Sequence, residues 1–432
     1  MLRRDAAALS AAVVAFRLWT GARPFARRFA YAPRVISFDL PPRLSELRTR
    51  VRAFVDDHVL PAESAILEED RDKKRDTLNA LRDRARSEGL FVPHLPEEHG
   101  GLGLGIMGMC ALFREMGRSP VGAACFNCDA PDQGNMDLLL KAASPAVRER
   151  WLAPLARGEI TSGFSMTEPA PGAGADPTNL KTRATKVDGG WVIDGHKWYT
   201  TGGGDAAFLI VMARTSDDPR TGATMFVVDR NAEGVEHVRD VPVMSPPVLQ
   251  HREAELRYNS VRVDDDAVLG AVGDGFRLAQ ARLVPARLTH CMRWLGWADR
   301  ALHMCREYVL TRESFGKTLA HHQMIQKKIA DAAAGIHAGN LMTIHCASML
   351  ERGLDKEARP YSSMAKNHVA RVLCQVLDDA IQMHGALGYS EDMPFSTWYR
   401  FARSARIADG PDEVHDVVVA RDFLRGALTT LV

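Results

Sequence analysis

The sequence predicts an α+β protein in which an N-terminal helical domain, a middle antiparallel β domain and a C-terminal four-helix bundle follow one another. Three observations predict this order. Apolar residues recur at helical spacing from Leu44, short apolar runs separated by turn signals begin after residue 160, and helical periodicity returns from Gly275. The predicted segments are an Arg-rich extension (1–38), the helical domain (39–160), the β domain (161–272) and the bundle (273–432).

The composition narrows the class of protein. The 432 residues include 55 Lys and Arg against 54 Asp and Glu, so the net charge of +1 excludes a strongly basic nucleic-acid binder. No uncharged apolar run reaches the roughly 18 residues of a membrane-spanning helix, so no integral membrane segment is expected. Seven scattered cysteines suggest a reducing compartment without a disulfide framework.

The extension over residues 1–38 differs from the rest of the chain. It holds seven arginines, no lysine and one acid, Asp5, and its apolar residues can share a helical face. This pattern is typical of a mitochondrial presequence, which would give a matrix location in a eukaryote. The alternative is an N-terminal tail or an upstream start codon in a bacterial gene, with a cytoplasmic location.

Local signals predict the elements of each domain in turn. Pro61 is expected to interrupt the first helix, and the glycine-rich stretch 103–108 is expected to be a turn, because no strand precedes it as a dinucleotide fingerprint requires. The turn Asp188-Gly189-Gly190 predicts a hairpin before Trp191. Further strands are predicted over 208–213, 224–229 and 254–263, and bundle helices over 276–310, 321–352, 360–385 and 411–431.

No metal site is expected from the spacing of potential ligands. Cys125 and Cys128 form a single CxxC with no second pair at a suitable distance along the chain. The histidines at 290, 384 and 415 also form no recognisable ligand set.

Four short stretches could carry chemistry, although each has an ordinary structural explanation. Stretches 164–169 and 198–204 contain an aromatic ring, hydroxyls and glycines, which together could bind the flat ring system of a ligand. A core tryptophan and a glycine turn explain these residues equally well. Arg312 lies near a helix break and suits a phosphate group, or is a solvated arginine. Asp409 precedes the last helix and could be a helix cap.

Together, these stretches resemble the acyl-CoA dehydrogenase family over about residues 38–432. The resemblance implies a helical domain, a β domain and a helical bundle that hold FAD between them and across a subunit interface. Residues 130–136 (APDQGNM) and 406–415 (RIADGPDEVH) resemble one branch of the family, whose animal members are fused to a phosphotransferase-like kinase domain.

The resemblance implies a role for each matching residue. Met166 and Thr167 should meet the pyrimidine side of the flavin, Trp198 should stack near it, and Thr200 should hydrogen-bond around N5. Arg312 should reach the pyrophosphate of the FAD of a neighbouring subunit, with Phe315 and Gln323 close by. The other implied cofactor contacts are Phe164, Gln382, His384, Gly385, Ala386, Pro411 and Glu413. The implied substrate contacts are Ala175, Leu283, Gly410 and Arg287, the last on the CoA portion.

The implied reaction is α,β-dehydrogenation of an acyl-CoA thioester to a trans-2-enoyl-CoA, as in fatty acid β-oxidation, with Asp409 as the base. Most of the family has Glu-Gly-Thr where this chain has Asp409-Gly410-Pro411. Other members carry their base at the position of Ala286, which cannot take a proton, so Asp409 has no rival. Two more departures are Ala175 in place of a serine and Val284 in place of an acid found in some members.

Partners and two alternative functions follow from the same resemblance. The expected partners are an acyl-CoA, an electron-transferring flavoprotein as electron acceptor and a second copy of the chain, in a homodimer or homotetramer. One alternative is a nitroalkane oxidase of the same superfamily, which also uses an aspartate base but needs no CoA site. The other is a non-catalytic acyl-CoA-binding protein, which should have lost the base or the flavin contacts.

Overall fold

The computed structural model describes residues 40–67, 71–218, 221–244 and 252–428. The predicted extension over 1–38 lies outside these residues. None of the described helices is long and apolar enough to cross a membrane.

The first described part of the chain is helical, as predicted. The helices are α1 (Pro42–Phe54), α2 (Leu60–Leu67), α3 (Arg71–Ser87), α4 (Ile106–Met116), α5 (Gly122–Cys125), α6 (Asp132–Ala142), α7 (Pro145–Val147) and α8 (Ala153–Ala156). Residues 103–105 are a loop that follows no strand, as predicted, but residues 106–108 of the predicted turn are the first residues of α4.

Pro61 does not interrupt the helix, contrary to prediction. A π-helical turn, Val55–Val59, joins α1 to α2, and Pro61 is the second residue of α2. A proline has no N–H to donate, and its ring collides with the carbonyl four residues earlier in a regular α-helix. The wider turn accommodates the ring, so the helix continues.

The middle of the chain forms an eight-stranded sheet. Its strands are β1 (Ser162–Ser165), β2 (Arg183–Val187), β3 (Gly190–Thr201), β4 (Phe208–Arg214), β5 (Ala223–Asp229), β6 (Val235–Asp240), β7 (Glu253–Asp264) and β8 (Val268–Leu269). Their order is β6-β7-β3-β2-β4-β5-β8, with β1 beside β4. The predicted hairpin joins β2 to β3, and the three predicted strands are β4, β5 and β7.

The sheet is mixed rather than wholly antiparallel. β1 runs parallel to β4 along its full length, and β2 and β4 share one parallel pair of residues, whereas the other neighbours are antiparallel. The chain between β1 and β4 includes the β2–β3 hairpin, and this long connection lets β4 return in the direction of β1.

The last part of the chain is built on four long helices, as predicted. They are α9 (Gly275–Thr311), α10 (Gln323–Glu351), α11 (Asp355–His384) and α14 (Asp412–Leu424). The short helices α12 (Ala386–Tyr389) and α13 (Phe395–Ala402) lie between α11 and α14, and the hairpin of β9 (Glu313–Ser314) and β10 (Lys317–Thr318) follows α9.

Candidate active site

Asp409 lies in a tight turn before α14, but it does not cap that helix. Its φ of +55° is in the left-handed region, which costs a non-glycine residue free energy and is concentrated at functional sites. The N-cap position of α14 is Pro411, which makes no side-chain cap, and the Asp409 carboxylate bonds His290. The cap explanation is therefore wrong.

Three side chains from three bundle helices hold the two carbonyls of this turn. Arg287 of α9 donates its Nε–H to the Asp409 carbonyl oxygen at 3.0 Å, and His415 of α14 donates Nε2–H to the same oxygen at 3.2 Å. Lys366 of α11 donates to the Gly410 carbonyl oxygen at 2.7 Å. The backbone beside Asp409 is thus fixed from three directions.

The histidine in this set is neutral, which decides its tautomer. Burial lowers the pKa of His415 to about 4, and the nearby charges of Arg287 and Lys366 act in the same direction. A carbonyl oxygen only accepts, so Nε2 carries the proton, and Nδ1 accepts from the Ser363 hydroxyl at 3.0 Å. Gly410 is required here, because its φ is +106° and a Cβ would lie 2.9 Å from His415 Nε2.

The side chain of Asp409 pairs with His290. His290 Nδ1 lies 2.5 Å from Asp409 Oδ2, and the two side chains are only 16% and 15% exposed. The His290 ring stacks on Trp294, one turn further along α9, with 8° between the planes. The imidazole is therefore held in one plane beside the carboxylate.

Positive neighbours keep the Asp409 carboxyl ionised. Burial by itself raises the pKa of Asp409, but His290, Arg287 and Arg282 oppose this and hold the pKa well below its ordinary value. Asp409 is therefore a carboxylate over the whole physiological pH range.

Arg282 joins the base to the sheet and to the first helical domain. Its guanidinium lies over the Phe164 ring of β1 at 4.0 Å, and its Nε donates to Asn135 Oδ1 of α6 at 3.1 Å. A Cβ at Gly134 would lie 3.1 Å from Arg282 Nε, so the guanidinium packs closely on α6. The Asp409 turn and the end of β1 consequently border one region.

The loop after β1 is held by a buried ion pair. Lys197 of β3 is 2.9 Å from Glu168 and also donates to the Met166 carbonyl oxygen at 2.8 Å. Three backbone N–H groups, those of Ala173, Lys181 and Thr182, donate to the Glu168 carboxylate. Burial by itself raises the pKa of Glu168, but these donors and Lys197 lower it to about 2.

The Thr200 side chain points into the interior of the sheet, and its predicted hydrogen bond around N5 stays a prediction. It is fully buried, and its hydroxyl is 3.2 Å from that of Ser165. The pairing of β3 with β7 shifts register between Lys197 and Thr200, where Tyr199 has a φ of +50°. This bulge turns Thr200 inward and leaves Tyr199 and Thr201 on the accessible side.

The surface beside the Asp409 turn suits the flat ring system that the resemblance implies. Tyr199 is 45% exposed, its ring meets the partly exposed ring of Trp198 at 4.9 Å, and Met166 and Thr167 are also partly exposed. Trp198 N–H donates to the Thr167 carbonyl oxygen at 3.0 Å, so these residues form one surface. Exposed rings next to hydroxyls and backbone amides can stack on a heterocycle and bond its edge.

The residues predicted to bind the distant part of the cofactor lie around the ends of α9 and α11. Arg312 ends α9 with an exposed side chain, and Phe315, on the turn of the following hairpin, is 96% exposed. The remaining exposed members of this group are Gln323, Gln382, Gly385 and Ala386.

His384 is the exception in that group. Its ring is buried between Tyr308 (4.2 Å) and Phe395 (4.8 Å), and its Nδ1 is bonded to the Ala380 carbonyl oxygen. The predicted cofactor contact of its side chain is therefore wrong, because the ring packs in the bundle core.

The predicted substrate contacts divide in a similar way. Ala175 is exposed in the loop after Glu168, whereas Leu283 and Gly410 are partly exposed. Of the neighbouring predicted cofactor contacts, Pro411 is partly exposed and Glu413 is exposed. Arg287 is only 8% exposed and its Nε bonds the Asp409 carbonyl. The structure therefore assigns the Nε–H of Arg287 to the turn, and the predicted contact of Arg287 with CoA stays a prediction.

Sequence reasoning missed five residues of this site. His290 and Arg282 share α9 with Arg287, and a helical-wheel projection from Arg287 would have flagged His290 three residues later. His415 ends the motif 406–415 but was given no role there, whereas Lys366 of α11 and Lys197 of β3 had no local signal. The described residues contain no group of three or more His, Cys, Asp or Glu that could hold a metal ion.

Three family models match consecutive parts of the chain. They are the N-terminal, middle and C-terminal domains of acyl-CoA dehydrogenase, which match residues 41–159, 163–258 and 273–424.

Similar proteins are found among both characterised sequences and solved structures. "Probable acyl-CoA dehydrogenase FadE2" of Mycobacterium tuberculosis is 37% identical over 89% of this chain and 96% of its own length. Acyl-CoA dehydrogenase family member 11 of Gallus gallus is 34% identical over 87% of this chain, which spans only 50% of that protein. A solved structure assigned as an acyl-CoA dehydrogenase, from Mycobacterium abscessus, matches with a TM-score of 0.85 and 35% identity, over 90% of this chain and 100% of that one.

Proposed function

The chain belongs to the acyl-CoA dehydrogenase family, and from this premise we propose that it converts acyl-CoA thioesters to trans-2-enoyl-CoAs with Asp409 as the base. The observation that carries the proposal is the Asp409 carboxylate, ionised and nearly buried, in a turn held by Arg287, Lys366 and His415. A base of this kind needs both a fixed position and shelter from water.

FAD is the cofactor of this family, and the chemistry it supplies when bound is acceptance of the hydride that leaves the β-carbon. The residues suited to hold its ring system are Met166, Thr167, Trp198 and Tyr199, and Thr200 stays the predicted partner of N5. Arg312 is suited to the pyrophosphate, as an exposed guanidinium can donate two parallel hydrogen bonds to it.

Asp409 performs the proton step. The bond between the α-carbon and its hydrogen breaks, the proton passes to the carboxylate, and the electron pair forms the new double bond as hydride leaves the β-carbon. Because the pKa of Asp409 is low, the carboxylate is always ready to accept but is a weak base. The substrate must therefore be acidified by hydrogen bonds to its thioester oxygen.

The turn itself offers such a donor. Within the described residues the Asp409 N–H donates to no acceptor, while the Asp409 and Gly410 carbonyls are both engaged. This N–H lies beside the base, where it can bond the thioester oxygen as negative charge develops. As the electron acceptor of the overall reaction we propose an electron-transferring flavoprotein.

A flavin-reduction screen tests this function. We expect anaerobic addition of a straight-chain acyl-CoA series to bleach the flavin absorbance and form the 2-enoyl-CoA, with no reaction with nitroethane. Reduction by nitroethane alone would establish the nitroalkane oxidase instead. A purified protein that cannot take up FAD would establish the non-catalytic alternative.

Arg312→Ala tests the pyrophosphate role and the proposed assembly. We expect the variant to retain less FAD, because a charge-assisted bond typically contributes about 1.5–3 kcal/mol, roughly 10- to 150-fold in affinity. If Arg312 serves the FAD of a neighbouring subunit, FAD binding and dimerisation should weaken together, as sedimentation and flavin absorbance can measure. Arg306→Ala, at an exposed position of the same helix, is the control. Equal FAD content in Arg312→Ala and Arg306→Ala would contradict the pyrophosphate role of Arg312.

A further inference from the structure

We infer that His290 is a positioning residue that holds Asp409 in the one orientation from which it can take the substrate proton. The inference rests on the proposed function, because it concerns how the base of that reaction is prepared. Its basis is geometric: the contact of 2.5 Å between His290 Nδ1 and Asp409 Oδ2, inside a nearly closed site.

The contact selects one of the two carboxylate oxygens. Oδ2 accepts from His290, whereas Oδ1 has no hydrogen-bond partner among the described residues. Rotation of the carboxylate would break the contact with Oδ2, which is costly where water is scarce. Oδ1 is therefore left as the oxygen that accepts the α-proton, and it keeps this role through each turnover.

The imidazole is itself fixed, which a positioning residue requires. It stacks on Trp294 at 5.4 Å between ring centroids, nearly parallel, and both residues lie on the long helix α9. Arg287, one turn away on the same face, holds the carbonyl of the same aspartate. Side chain and backbone of Asp409 are thus aligned by one helix.

The charges around Asp409 define what removing His290 would change. Arg282 and Arg287 face it from α9, Lys366 from α11, and His415, which is neutral, from α14. His290 is the group whose ring touches the carboxylate. Without His290, only the more distant cations oppose the rise that burial causes in the pKa of Asp409. Asp409 should then be protonated at a higher pH.

The test uses an acyl-CoA analogue with sulfur at position 3, which has an α-proton but no β-hydrogen to lose as hydride. Exchange of its α-hydrogen for deuterium in D₂O, followed by mass spectrometry, reports proton removal without flavin reduction. The variants are His290→Ala, which removes the donor, and His290→Asn, whose amide N–H can replace Nδ1–H. His303→Ala, an exposed histidine on the same helix, is the matched control.

We expect His290→Ala to slow exchange at pH 8 by about 10-fold or more, because the carboxylate is no longer oriented. The pH at which exchange falls to half should rise, because a favourable neighbour of the charged form is lost. His290→Asn should recover most of the rate, and His303→Ala should match the wild type in both.

Three outcomes overturn the inference or its premise in distinguishable ways. First, if exchange in His290→Ala falls to half at the same pH as in the wild type, with only folding or FAD content changed, His290 would be a structural residue only. Exchange that stops in His290→Ala but continues in Asp409→Asn would make His290 the base. If the wild type neither exchanges the analogue nor is reduced by any acyl-CoA, the proposed function fails.

Discussion

Asp409→Asn should leave a folded, yellow protein that binds acyl-CoA but reduces its flavin at least about 100-fold more slowly than the wild type. The amide keeps an oxygen that can accept from His290 Nδ1, and the turn is held through backbone carbonyls that the substitution does not alter. What disappears is the group that accepts the α-proton. Stopped-flow absorbance at the flavin band, together with acyl-CoA binding by calorimetry, measures both properties.

Asp409→Glu is the companion variant, because it restores the carboxylate found in most of the family. It should keep part of the activity if the site accepts one more methylene, since the carboxylate moves relative to His290. Near-normal reduction by Asp409→Asn would show that another group takes the proton. A loss of FAD in that variant would mean that the turn, rather than the chemistry, has been disturbed.

Lys197→Met should lower the free energy of unfolding by about 3–5 kcal/mol, the usual cost of leaving one charge of a buried pair unpaired. Both partners are buried, and methionine replaces the stem of lysine without its ammonium group. The Met166 carbonyl loses a donor as well, so FAD should also dissociate more easily. Thermal denaturation in excess FAD and flavin release on dilution are the measurements.

Lys327→Met is the matched control, because its ion pair with Asp331 is exposed and should contribute less than about 1 kcal/mol. The pH dependence offers a second check. The pKa of Glu168 is lowered to about 2 in the folded chain, and burial lowers the pKa of Lys197 to about 8. The carboxylate therefore contributes fully between the ordinary pKa of about 4.5 and about pH 8, and its contribution is lost as pH falls towards 2. The difference between wild type and Lys197→Met should therefore shrink below pH 4.5. A constant difference, or equal effects of Lys197→Met and Lys327→Met, would contradict this account.

The sequence predicted the acidic residue of the site but not which of the other side chains are buried. Asp409 was identified because the family motif around it is contiguous in the chain. The burial of Thr200 was not predicted, because a bulge at Tyr199 places it on the buried side of the strand, and a shift of one residue reverses which side chains are accessible. His384 was misplaced because its burial depends on Tyr308 and Phe395, from other helices.

By itself, the sequence determined the order of helical, β and helical segments, the family and the acidic residue before the last helix. These are local properties, since hydrophobic periodicity and turn residues act over a few positions. The tertiary structure alone decided that His290, Arg287, Lys366 and His415 converge on one turn. Apart from His415, which is six residues from Asp409, these residues lie more than forty residues from the turn. Their contacts depend on how the helices pack, and no local pattern in the chain encodes that packing.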